Sequence, residues 1–146
     1  MKRYFFDTSA LVKIYHREAG SEYCLELYLG CSHLIISELA RVELYSAILR
    51  KHGEKDLNAK ALKTVLQKFK CDSEERYEVL QVSSLVYDDA CSLLSRHAVQ
   101  HGLRTLDSLQ LATFLNYCER EKDCFVCADK KLSAVVGHEG IQTIFV

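Results

Sequence analysis

The chain predicts an α/β domain, with a mainly parallel central sheet flanked by helices on both faces, and three observations carry that prediction. Short apolar runs alternate with longer stretches of helical periodicity from one end to the other. Such alternation favours parallel strands joined by helical crossovers. Hydrophobic residues make up 49% of 146 positions, ample for one core, and neither a linker nor an internal repeat divides the sequence, so a single domain over 1–146 is expected.

The first strand is RYFF (3–6), and Asp7 leads from it into SALVKIYHRE, where Leu11, Ile14 and Tyr15 recur at helical spacing. Gly20 and Ser21 interrupt the chain before SEYCLELYLG, read as a second helix. HLIIS (33–37) is the second strand. Ser37 can cap the helix ELARVELYSAILRKHG, whose closing Arg50, Lys51 and His52 before Gly53 follow the order favoured at a helix C-terminus. Residues 56–69 place Leu57, Ala61, Leu62, Val65, Leu66 and Phe69 on one face of a further helix. A strand at 77–82 then precedes the helical SLVYDDACSLLSRHAVQHG. Gly102 resets the chain before a helix over 105–120. Strands at 124–128 and 141–146, separated by a short helical turn at KKLSAVV, close the sequence.

Composition narrows the function classes. Lys and Arg total 19 against 20 Asp and Glu, so no overall basic character announces a polyanion partner. The start, MKRYFFDTSALV, has too short an apolar run for a secretory signal and no segment reaches transmembrane length, which predicts a cytoplasmic protein with no membrane association. Seven scattered cysteines read as reduced, mostly buried thiols. Neither a P-loop nor a glycine-rich dinucleotide turn is present.

Four carboxylates, Asp7, Glu43, Asp107 and Asp129, sit where a strand ends or where the following helix begins. In open α/β sheets the functional crevice lies beyond the carboxyl ends of the strands, so this placement gathers them in one volume. Each has a plainer explanation when taken alone. Asp7 and Asp129 can cap the next helix, and Asp107, in the first turn of its helix, can complement the dipole. Glu43 lies about 9 Å along its helix from Ser37, yet a helical side chain leans toward the N-terminus and can reach the site mouth; otherwise it is a surface residue. Glu38 faces elsewhere and suits the start of the helix dipole. Taken together, four repelling acids at equivalent exits point to a hard divalent cation and phosphate chemistry.

The segments YFFDTSALVKIY, IISELARVEL, LRTLDSLQLA and CADKKLSAVVGHEG, in this order, resemble the signature blocks of PIN-domain nucleases, specifically VapC-type toxins of toxin–antitoxin pairs. The resemblance spans essentially the whole chain. It implies a PIN fold, Mg²⁺ or Mn²⁺ dependence, endoribonuclease activity, a cognate antitoxin protein and a homodimer. It places the acidic quartet on Asp7, Glu43, Asp107 and Asp129, with Ser9 as the small polar residue that helps arrange the first acid. Cys127 departs from the pattern, which more often has Thr or Ser there. A PIN-fold RNA-binding or scaffold protein with little catalysis is the alternative. Lys13 and Arg104 lie nearest the first and third acids among the neighbouring cations and are the candidates for RNA phosphate contact.

Two weaker signals remain. Cys124 and Cys127 point to opposite faces of a strand, which argues against zinc. His97 and His101 have the helical spacing of metal ligands, but their position near a helix end fits a dipole interaction.

Overall fold

The structure, a computed structural model, describes residues 2–146. Five strands, β1 (Tyr4–Phe6), β2 (Leu34–Ser37), β3 (Tyr77–Leu80), β4 (Cys124–Cys127) and β5 (Gln142–Phe145), form one sheet in the order β3-β2-β1-β4-β5, and every pairing is parallel. Seven helices join them: α1 (Thr8–Tyr15), α2 (Ser21–Gly30), α3 (Glu38–Gly53), α4 (Ala59–Glu75), α5 (Ser84–His101), α6 (Thr105–Tyr117) and α7 (Lys130–His138).

Because side chains alternate along a strand, neighbouring residues serve opposite cores. Phe5, Ile35 and Phe125 pack with α5, α6 and α7. Phe6, Leu34, Ile36 and Val126 pack with α1, α2, α3 and α4. The central strands are thus apolar on both faces, as buried parallel strands must be. Phe5 stacks on Phe125 at 5.2 Å between ring centroids, and Phe114 of α6 meets Phe125 edge-on at 5.7 Å.

The sheet order places a topological switch point between β1 and β4. Strands β1, β2 and β3 run outward on one side, and the chain then returns to lay β4 against β1. The register Phe5↔Phe125 and Phe6↔Val126 brings the exits of these two strands side by side. The open crevice of an α/β sheet falls at this place.

Boundaries differ from the sequence reading where polar contacts decide them. Helix α4 starts at Ala59 because the Asn58 side chain accepts from the Ala61 N–H at 2.8 Å. It runs past Phe69 to Glu75, where Asp72, buried on α4, accepts from the Tyr15 hydroxyl at 2.7 Å and Lys68 at 3.0 Å. Strand β3 stops at Leu80, since the Val82 N–H turns to the Glu38 carboxylate at 2.8 Å. KKLSAVV opens a full nine-residue helix rather than a short turn. Gly20 and Gly102 have φ of +87° and +69°, left-handed values that suit the chain breaks read at both positions. All seven cysteines are free thiols, but only Cys24, Cys124 and Cys127 are buried, while Cys71 and Cys91 are exposed on α4 and α5. No helix among the described residues is long and apolar enough to cross a membrane.

Candidate active site

Asp7 leaves β1 with its backbone N–H donating to the Val126 carbonyl at 2.9 Å, which ties it to the neighbouring strand. It caps α1, and its carboxylate accepts from the Ser9 N–H at 3.1 Å and the Ser9 hydroxyl at 2.6 Å. The same Ser9 oxygen accepts from the Ala128 N–H at 2.9 Å. One hydroxyl therefore joins the exits of β1 and β4 and orients the first acid.

Asp7 is only 3% exposed. Its pKa is pushed up to about 7, chiefly by burial; the Ser9 hydrogen bonds oppose the shift, and the charges of Asp107 and Glu43 add to it. Asp107, in the first turn of α6, is also raised, first by burial and then by Asp129, with Arg104 opposing and Glu43 adding. Burial is the leading cause at both acids, and neighbouring carboxylates add to it. Asp129 caps α7 by accepting from the Leu132 N–H at 2.9 Å. The capping roles and a shared location coexist: Asp7, Glu43, Asp107 and Asp129 all line one cavity of about 600 Å³.

Glu43 is partly buried rather than a surface residue. Its Oε1 accepts from the Thr8 hydroxyl at 3.1 Å and from Nε2 of Gln110 at 2.8 Å. Sequence reasoning missed both donors. Thr8 directly follows the first acid, and Gln110 is a polar residue inside the apolar run Leu109, Leu111 and Ala112, which is the one local signal that could have marked it. Glu38 is spent on the Val82 N–H and does not line this cavity.

Arg104 spans two of the acids, with Nε 3.7 Å from Asp107 Oδ2 and Nη2 3.8 Å from Asp129 Oδ2. Lys13 lines the same cavity, but its ammonium donates to the Ala19 carbonyl and pairs with Glu18 at 3.5 Å. No histidine lines the cavity among the described residues. His97 instead meets Glu139 at 2.7 Å, beside His101 and His138.

Glu18 also lines the cavity but is paired with Lys13 and Lys51; the other four carboxylates, Asp7, Glu43, Asp107 and Asp129, form an all-oxygen donor set of the kind that selects a hard divalent cation. Their mutual influence on Asp7 and Asp107 is the repulsion that such a cation relieves. As the side chains stand, no three His, Cys, Asp or Glu among the described residues meet the geometry of a metal site. Arg104 engages two of the acids, and Thr8 with Gln110 holds a third. The donor chemistry fits; ligation requires the carboxylates to converge.

Ser9→Ala tests the local arrangement. Losing the hydroxyl removes one influence that keeps the Asp7 pKa down, so the Asp7 carboxyl titration, followed by NMR in EDTA, is expected to move to higher pH.

The PIN domain family model matches residues 4–137, and the chain belongs to that family. No protein of curated function matches by sequence. Among solved structures, VapBC2 from Rickettsia felis, bound to a DNA fragment from its promoter, superposes with a TM-score of 0.66 at 17% identity, covering 100% of this chain and 99% of that one. VapC20 from Mycobacterium tuberculosis, a sarcin–ricin loop cleaving toxin, gives 0.71 at 16% identity over 90% of this chain and 93% of that one. FitAcB from Neisseria gonorrhoeae gives 0.71 at 13% identity over 98% and 96%. At such identities the likeness establishes the PIN fold.

Proposed function

We propose that this chain is a Mg²⁺- or Mn²⁺-dependent endoribonuclease and the toxin of a toxin–antitoxin pair. The observation that supports the reading is that Asp7, Glu43, Asp107 and Asp129 all line one cavity beside the β1/β4 switch point. Asp7, Glu43 and Asp107 hold the cation, and Asp129 assists. When bound, the ion supplies activation of water at neutral pH and neutralises charge building on the phosphate.

The chain's own residues do the rest. Ser9 keeps Asp7 oriented and favours its ionised form. Arg104, with a 78% exposed side chain beside Asp107 and Asp129, contacts a substrate phosphate. Lys13, held by Glu18 and the Ala19 carbonyl, is the lesser of the two phosphate candidates. Products carry 5′-phosphate and 3′-hydroxyl ends. RNA as substrate is supported by the sarcin–ricin loop cleavage of the M. tuberculosis neighbour. An antitoxin partner is supported by the VapBC complexes among the neighbours from R. felis and Salmonella typhimurium. The proposed setting is the cytoplasm, and the proposed assembly is a homodimer.

One observation favours a second reading, an RNA-binding PIN scaffold without catalysis: the acid side chains do not meet metal-site geometry as they stand. An RNA cleavage assay separates the two. Cleavage abolished by EDTA and restored by Mg²⁺ or Mn²⁺ is expected; binding without cleavage supports the scaffold, and cleavage indifferent to EDTA removes the metal-dependent reading.

A further inference from the structure

Gln110 is 0% exposed inside α6, where an apolar side chain would be the ordinary occupant. Its Nε2 donates to both the Thr8 hydroxyl oxygen, at 3.0 Å, and Glu43 Oε1, at 2.8 Å. Its own Oε1 is buried with no hydrogen-bond partner. The amide is fixed in this sense, because turning it over would set its oxygen against a carboxylate. Thr8 is fixed with it: its oxygen accepts from Gln110, so its single proton goes to Glu43.

A stranded amide oxygen in the interior works against stability, and a Met or Leu at this position would avoid it. Packing alone gives no reason for the amide. What it accomplishes is placement. Two donors converge on Glu43 Oε1, and among the described residues no hydrogen bond reaches Oε2. The contact joins α1, α3 and α6, three elements far apart in sequence, at the carboxylate that lies deepest along its helix.

We propose that Gln110, acting with Thr8, is a positioning residue for Glu43: together they occupy Oε1 and leave Oε2 as the single oxygen that Glu43 presents to a divalent cation. This rests on the metal-dependent reading above. Glu43 would then offer Oε2 on a fixed bearing, and loss of the amide frees the carboxylate to rotate away from the cation, which weakens binding.

The test is Mn²⁺ binding by titration calorimetry, alongside thermal melts, for wild type, Gln110→Met, Thr8→Val and Thr8→Ser. Gln110→Met is expected to melt at or above the wild-type temperature in EDTA while its Mn²⁺ dissociation constant rises about ten- to a hundredfold. Thr8→Val is expected to weaken binding in the same direction, and Thr8→Ser, which keeps the hydroxyl, to restore it. In a Glu43→Gln background the Gln110→Met effect on Mn²⁺ affinity is expected to vanish, as it must if the two residues act through one another. If Gln110→Met does not fold, the Thr8 pair carries the test alone.

Mn²⁺ affinity within twofold of wild type in the folded variants overturns the inference. So does a melting temperature that falls while affinity holds, which assigns Gln110 to packing. A wild-type protein that binds no Mn²⁺ and cuts no RNA overturns the nuclease reading itself, a result distinct from a metal-dependent wild type whose variants are unaffected.

Discussion

Asp7→Asn is expected to lower RNA cleavage by about three orders of magnitude or more, the equivalent of several kcal/mol of lost transition-state stabilisation, while leaving the protein folded. Asn keeps the shape and can still cap α1, but it supplies no negative charge to a cation. The stability consequence runs the other way. Burial raises the Asp7 pKa from an ordinary 3.8 to about 7, so between those values the folded state retains a proton that the unfolded chain has released. Asp7's favourable contribution is complete below about pH 4, declines as pH rises toward 7, and is gone above that. Asn pays no such penalty. In EDTA at pH 8 the variant is expected to be more stable than wild type by up to a few kcal/mol, and at pH 4 the two should converge. Melting curves across that range check the sign. Retained metal-dependent cleavage would remove Asp7 from the mechanism.

Phe125→Ala is expected to produce the largest loss of stability, about 3–5 kcal/mol. Phe125 is fully buried at the centre of β4, stacked on Phe5 and met edge-on by Phe114. Removing the ring opens a cavity between the sheet and α6, the helix that carries both Asp107 and Gln110. Against a typical total of about 5–15 kcal/mol, such a loss leaves a marginal protein. Urea unfolding measures it directly. A cost below about 1 kcal/mol would mean that this aromatic cluster does not hold β1, β4 and α6 together.

The parallel sheet was legible because its strands are short, its central strands are apolar on both faces, and helical stretches separate them. Phe5 and Phe6 serve opposite cores, as that pattern requires. Asp7 and Asp129 were legible because position after a strand is a local property. Glu43 depended on knowing which way a helical side chain leans. The network behind it was not legible: Thr8, Glu43 and Gln110 meet only after folding, across separations of 35, 67 and 102 residues. A lone polar residue in an apolar helix shows that something must satisfy it, but not what. Likewise, apolar periodicity ended at Phe69 although α4 did not, because the continuation is held by Asp72 through Tyr15 and Lys68. The exposure of Cys71 and Cys91 follows from which helix faces meet solvent, something the cysteine count could not convey.

The central claim is that Asp7, Glu43 and Asp107 share a divalent cation. Crystals of the wild-type protein grown or soaked with Mn²⁺, measured for anomalous scattering, test it most directly. The account predicts an anomalous peak inside the cavity, about 2 Å from an oxygen of each of the three acids, with Glu43 contributing Oε2. A map at saturating Mn²⁺ with no peak there, and with the three carboxylates still apart, would contradict it.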